Sequence, residues 1–423
     1  MEKLENSSIN FKVLMLPWLA HGHISPYLQL ARKLGLTNKN CHIYLCSTQV
    51  NLDFVRKSFH NILSNHAIEL VELHLAETLD LPPHYHTTKD LPPHLVPKLI
   101  QAFQSAKSSF ATILDTLTPD LLIFDAFQSW APAMAAERNI PAVYFIPLGA
   151  AAYAFLYHSL KCSSGTPFPF STIFLSEYEQ MKHETLVKSN KEFMEFSPVR
   201  GFELSSEIVL IKTCREIEEK YVKHLSFLCG KELVTTGPLS QESNTIDHGE
   251  SNIMNFLNGK AESSVVLVNF GSECYLSDEE REEIAHGLEL SKVEFIWVIR
   301  FPSDQRIAIK DAVPEGFLKR VKNRGIVVDG WAPQAEILEH KSVGGFMSHC
   351  GWGSVMESLC SGIPIIAIPM KFEQPLNARL VAEIGAGLEV VRDENGKMKR
   401  EKIASAIKMV IFEKFGNDMR EKN

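Results

Sequence analysis

At 423 residues the chain is longer than one hydrophobic core comfortably supports, so about two domains are expected. Its composition, 45% hydrophobic and 22% charged, is that of a soluble globular protein, and a net charge of −8 argues against the basic footprint that a nucleic-acid or anionic-membrane surface needs. The eight cysteines (Cys41, Cys46, Cys162, Cys214, Cys229, Cys274, Cys350, Cys360) are scattered without a C-x-x-C pair, the N-terminus lacks a signal core, and no apolar run approaches a membrane span. A reducing, cytoplasmic setting is therefore expected.

Strands and helices alternate from the start. The pattern predicts a strand over Phe11–Trp18, a loop over Leu19–Ser25 and a helix through Leu34, then strands at Cys41–Ser47 and Ile68–Leu73. After a Pro- and His-rich loop, a helix is predicted from Leu95 to Leu114, a strand over Pro119–Asp125, a helix over Trp130–Arg138 and a strand over Pro141–Pro147. Continuous apolar strands separated by helical patterns indicate parallel βαβ units. The stretch Ala150–Arg200 breaks the alternation and is rich in aromatics, among them Phe155, Tyr157, Phe168, Phe170 and Phe174. Two readings stay open for it: a long binding loop, or a satellite core beneath a surface excursion. Alternation resumes with Glu207–Lys212, Arg215–Leu228 and Leu233–Gly237.

The polar run Ser240–Asn252 has the composition of a linker, which divides the chain into a domain over 1–239, a linker over 240–262 and a domain over 263–423. A second α/β series follows, with strands at Ser264–Phe270, Val293–Arg300, Ile326–Asp329, Val343–His349 and Ile363–Pro369. The expected class is α/β, with two Rossmann-like doubly wound domains facing a cleft. Between the last two strands lies the turn Cys350-Gly351-Trp352-Gly353 and a short helix over Ser354–Ser361, stopped by Gly362. Ligands of such sheets sit at the carboxyl ends of strands, and a helix N-terminus there suits a phosphate. His349 and Ser354 flank that turn and can add donors to the same anion.

The stretch Trp331–Gln374 also resembles the signature box of plant family 1 UDP-dependent glycosyltransferases, an inverting class with a two-domain GT-B fold. It supplies Trp331, Gln334, His349-Cys350-Gly351-Trp352, Ser354, Glu357, Glu373 and Gln374 in the family's register. One departure is Gly353, where many members carry Asn. The resemblance implies UDP-glucose as donor substrate, held by Ser272, Trp331, Ala332, Gln334, His349, Trp352, Gly353, Ser354, Glu357, Glu373 and Gln374. In it, Trp331 stacks uracil, Gln334 and Glu357 meet uracil or ribose, and His349 and Ser354 meet the diphosphate. Ser272 adds a phosphate contact, Glu373 and Gln374 meet the sugar, and Trp352 contacts the sugar through its backbone or packs the turn.

Transfer to a hydroxyl requires a base. The loop Pro17–Pro26 (PWLAHGHISP) offers His21 and His23, and their spacing leaves open which one serves. The family's G-H-x-x-P pattern falls on Gly22, His23 and Pro26, which implies His23. Asp125, at the end of PDLLIFD, is the candidate to orient it, whereas Asp120 opens the strand at its far end and suits a cap or turn. His21, His23, His84 and His86 lack zinc-ligand clustering, so no metal or other cofactor is expected. No phosphate-loop, dinucleotide or nucleophile-elbow motif occurs. Most similar within the family are the branch-forming members, which extend a sugar already on a terpenoid or flavonoid, and this rests on PWLAHGHISP, Phe270–Glu273 and His286–Pro302. Transfer to an aglycone, or silent UDP-sugar binding, are the alternatives. The expected partners are a UDP-sugar and a small-molecule glycoside or aglycone, the expected state is a monomer, and a C-terminal crossing helix usual in the family is expected to be shortened or absent.

Overall fold

The computed structural model describes residues 11–38, 40–65, 68–162, 165–189, 198–240, 252–302, 307–413, 416 and 418–420. The chain folds as two compact units, Met1–Ser164 with Asn190–Leu239, and Gly165–Ser189 with Ser240–Asn423. The first unit holds seven strands: β1 (Phe11–Leu16), β2 (Cys41–Ser47), β3 (Ile68–Glu72), β4 (Leu121–Phe124), β5 (Ala142–Ile146), β6 (Ile208–Ile211) and β7 (Glu232–Thr235). They pair in parallel in the order β3-β2-β1-β4-β5-β6-β7. Helices cover both faces, so strands such as β5 are buried at every position and read as continuous apolar runs. Ile24, Leu28 and Ala31 of the helix His21–Thr37 pack on Val13, Met15 and Ile43 of the sheet. The strand order reverses between β1 and β4, and Leu16 lies opposite Phe124. The loops that follow these two strands therefore emerge side by side.

The second unit holds β8 (Val265–Asn269), β9 (Glu294–Ile299), β10 (Gly325–Asp329), β11 (Val343–Ser348), β12 (Ile365–Ala367) and β13 (Gly387–Glu389). These strands are also all parallel, in the order β10-β9-β8-β11-β12-β13, with the reversal between β8 and β11. Fully buried Trp297 packs among Val266, Val268, Met347, Ile403 and Ile407.

Four expectations are corrected. Ala150–Arg200 is largely helical where described, with helices over Ala150–Lys161, Glu177–Ser189 and Pro198–Leu204. The first of these hides its amphipathic signal because Ala150–Ala154, Tyr157 and His158 are nearly all buried. Its first N–H groups are satisfied from far along the chain: the buried Glu218 carboxylate accepts from Ala150 N at 2.8 Å and Ala151 N at 2.6 Å, and also from the Thr213 hydroxyl. Burial pushes the Glu218 carboxyl up, and these donors oppose that shift.

Gly165–Ser189, which sequence order places within 1–239, packs instead with the second unit. There Arg379 pairs with Glu179 at 2.8 Å and Glu389 at 3.2 Å and lies 5.0 Å from the Phe174 ring centroid. The linker is also shorter than 240–262, because a helix over Asn252–Asn258 buries Ile253 and Leu257 against Val265, Leu267 and Phe346. Its residues 241–251 lie outside the described residues. Finally, the helix expected over Leu95–Leu114 is two helices, Val96–Gln104 and Lys107–Leu117, broken at Ser105–Ala106.

Candidate active site

In each unit the polar residues of interest collect at the carboxyl ends of the parallel strands, around the point where the strand order reverses. In the first unit these are the ends of β1 and β4. The helix after β1 begins at His21 rather than beyond Ser25, so both histidines sit in its first turn. His23 Nδ1 lies 2.7 Å from Asp125 Oδ2. The Asp125 side chain is 1% exposed, and it also accepts from Trp18 N at 3.2 Å and Ala126 N at 2.6 Å. This carboxylate holds the imidazole by Nδ1, which makes Nε2 the nitrogen that can take up a proton. His21 instead lies face to face on Phe54, with ring centroids 3.6 Å apart. The Phe127 ring meets His23 edge-on at 5.8 Å and stacks on Trp18 at 4.5 Å. The Gln128 amide donates to the Leu16 carbonyl and ties the loop after β4 to the end of β1. Asp120, at the opposite end of the strand, accepts from Lys12 N at 2.8 Å.

In the second unit the turns after β8 and β11 interlock. Gly271 has a left-handed φ of +79°, and a Cβ placed on it would come within 2.8 Å of the His349 ring; one on Gly351 would come within 2.6 Å. The imidazole is thus cradled between two glycines. Its Nδ1 is buried and has no hydrogen-bond partner among the described residues. Burial first, and the nearby Lys371 ammonium second, push its pKa down to about 4, so His349 is neutral at pH 7. The following helix starts at Trp352, two residues earlier than the sequence suggests, with Gly351 as its N-cap. The backbone N–H groups of Trp352, Gly353 and Ser354 therefore belong to the open first turn. The Trp352 side chain is buried, at 2% exposed. Gly353 is exposed, and a Cβ there would touch nothing within 4 Å.

Gln334 ties this turn to its surroundings. Its Oε1 accepts from Asn269 Nδ2 at 2.7 Å, and its Nε2 donates to Glu357 Oε2 at 2.6 Å and Ser354 Oγ at 3.2 Å. Trp331 stands just past β10 with 64% of its surface exposed, while Ala332 beside it is buried. Ser272 is half-buried after β8. Glu373 stands at the N-cap position of the helix Gln374–Glu383 without a side-chain capping bond, and Gln374 is itself buried, with its Oε1 accepting from Met370 N at 3.1 Å and Lys371 N at 2.9 Å. The eleven candidate donor residues thus fall on the ends of β8, β10, β11 and β12 and the helices that follow. Sequence reasoning missed two supports. Asn269 orients Gln334 and also accepts from Gly271 N at 3.2 Å, and buried Asn377 donates to the Cys350 carbonyl at 3.0 Å. Neither Asn269 nor Asn377 belongs to a motif legible in the sequence.

The two doubly wound units and their two sites define a GT-B glycosyltransferase. The family model described as "UDP-glucoronosyl and UDP-glucosyl transferase" matches residues 170–420, and "Glycosyltransferase, N-terminal domain" matches residues 10–241. The Gardenia jasminoides beta-D-glucosyl crocetin beta-1,6-glucosyltransferase is 48% identical over 413 residues, covering 96% of this chain and 92% of that one. A Siraitia grosvenorii mogroside IIIx synthase is 49% identical over 418 residues, covering 97% and 91%. The crystal structure of Glycyrrhiza uralensis UGT73P12 with glycyrrhetinic acid 3-O-monoglucuronide superposes with a TM-score of 0.79 at 26% identity, covering 97% and 89%. The chain belongs to the UDP-dependent glycosyltransferase family of plants.

Trp331 is largely exposed, unlike the buried Trp352. Trp331→Ala should weaken UDP binding by about 1–3 kcal/mol, the worth of one base–aromatic stack, with little change in melting temperature. Calorimetric titration with UDP checks this, and unchanged affinity would remove Trp331 from the donor site.

Proposed function

We propose that the protein moves glucose from UDP-glucose, with inversion, onto a hydroxyl of a sugar already attached to a terpenoid or flavonoid. The observation that carries the chemistry is the His23–Asp125 pair at 2.7 Å, set at the reversal of the first sheet. His23 Nε2 takes the proton of the acceptor hydroxyl as that oxygen bonds to the anomeric carbon. Asp125 holds the tautomer and stabilises the imidazolium that forms. The bond from the anomeric carbon to the β-phosphate breaks, and its electron pair leaves with UDP. On the donor side, Trp331 takes the uracil, and Gln334 and Glu357 take the uracil or ribose. Ser272, His349, Gly353 and Ser354 take the diphosphate, while Glu373 and Gln374 take the sugar.

The choice of a glycoside acceptor is supported by the relatives' names, which specify a glucosyl crocetin and, for a Citrus maxima enzyme 43% identical over 419 residues, a flavanone 7-O-glucoside. No metal takes part, and the enzyme works as a monomer in the cytoplasm. Among the described residues, no helix is long and apolar enough to cross a membrane. With UDP-glucose supplied and UDP release measured, a monoglucoside acceptor should turn over at least about tenfold faster than its aglycone, a difference of about 1.4 kcal/mol in the barrier. A chelator should leave that rate intact. Preference for the aglycone would replace this function with direct aglycone glucosylation, and loss of activity on chelation, restored by a divalent ion, would overturn the metal-free mechanism.

A further inference from the structure

Lys371 is not among the candidate donor residues assigned above. It follows β12 in a turn whose backbone is pinned by Gln374, and its neighbour Phe372 is held at a left-handed φ of 56°. In the sheet, β8, β11 and β12 lie side by side, with Ser348 level with Asn269 on one flank and with Ala367 on the other. The Lys371 ammonium nevertheless donates to the Glu273 carbonyl oxygen, in the turn after β8, at 2.7 Å. It thus ties the turn after β12 to the turn after β8, although β11 lies between those two strands in the sheet. That places the cation at the turn that carries His349.

The charges around this point are uneven. Arg379 is paired with Glu179 and Glu389, and Arg392 with Glu280. Lys371 has no carboxylate within ion-pair distance among the described residues; its other close contact is the Phe372 ring at 5.0 Å. The Lys371 charge acts on His349, whose Nδ1 has no hydrogen-bond partner among the described residues, and the helix Trp352–Cys360 opens three residues after His349. All three features favour an anion, yet His349 is neutral at pH 7 and brings no charge of its own.

Resting on the donor assignment above, we propose that Lys371 is the cation that holds the diphosphate of the UDP-sugar and neutralises the charge that builds on the departing UDP. As the acceptor oxygen bonds to the anomeric carbon, the electron pair of the breaking carbon–oxygen bond stays on the β-phosphate and the acceptor proton passes to His23. One more negative charge then appears on the phosphate side. An ammonium already anchored by the Glu273 carbonyl meets it without having to reorganise.

The test is calorimetric titration of the wild type, Lys371→Met and Lys371→Arg with UDP and, separately, with uridine, alongside kcat for each. Lys371→Met should bind UDP about tenfold or more weakly, lose kcat by a similar factor and bind uridine as the wild type does. Lys371→Arg, which keeps the charge, should restore most of the UDP affinity and confirms that the effect is one of charge. Equal UDP affinity in the wild type and Lys371→Met would overturn the proposal. So would parallel loss of uridine and UDP in both variants, which would make Lys371 a structural pin between turns. A wild type that binds no UDP is a distinct outcome and would sink the donor assignment itself.

Discussion

His23→Ala should cut turnover by about 10²–10⁴-fold, the usual worth of a positioned general base, while UDP affinity is unchanged. The candidate donor residues all lie in the second unit, whereas His23 lies in the first. Asp125→Asn should also be strongly impaired. An amide can present an N–H to Nδ1 and so favour the wrong tautomer, and it cannot stabilise the imidazolium. His21→Ala should keep most of its activity, because His21 is engaged with the Phe54 ring and not with Asp125. Steady-state rates of the three variants with one glycoside acceptor check this order. Loss in His21→Ala with retention in His23→Ala would reverse the assignment.

The second large effect is on stability. In the ligand-free protein, burial holds the His349 pKa at about 4, against 6.5 for an unperturbed imidazole. Between these values the unfolded chain binds a proton that the folded chain refuses, so stability falls as pH falls from about 6.5 toward 4. Above about pH 6.5 both states are neutral at this residue and it contributes no slope. At about 1.4 kcal/mol per pH unit, the shift can remove up to about 3 kcal/mol by the acid end of that window. His349→Gln removes the titrating group, so its stability should depend less steeply on pH over the same range. Urea denaturation midpoints measured from pH 4.5 to pH 7 compare the two slopes, and identical slopes would show that His349 does not carry the effect.

Much of the fold is legible in the sequence because the strands are buried on both faces. Runs such as Leu121–Phe124 and Ala142–Ile146 appear as unbroken apolar segments, and their alternation with helical patterns leads directly to two parallel sheets. The helix Ala150–Lys161 was not legible for the opposite reason. It is buried almost all round, so no polar stripe marks its period, and its N-terminal cap is a carboxylate 68 residues away. The helix Asn252–Asn258 was lost in a polar neighbourhood, since only Ile253 and Leu257 of its seven residues are buried.

The sequence by itself determined the fold class, the family resemblance and nearly every candidate donor residue. Trp331 to Gln374 lie in one continuous window, so their pattern survives without coordinates. Spacing left His21 and His23 open and the family pattern implied His23; the tertiary structure shows the contact itself, between His23 and Asp125, a partner 102 positions along the chain. It also assigned Gly165–Ser189 to the second unit through Arg379, and showed that Gln334 is committed to Asn269, Ser354 and Glu357. The His349 cradle between Gly271 and Gly351 and the reach of Lys371 to Glu273 belong to the same class. In each case the deciding contact joins residues that are distant in the chain, and periodicity and local motifs carry no record of such pairings.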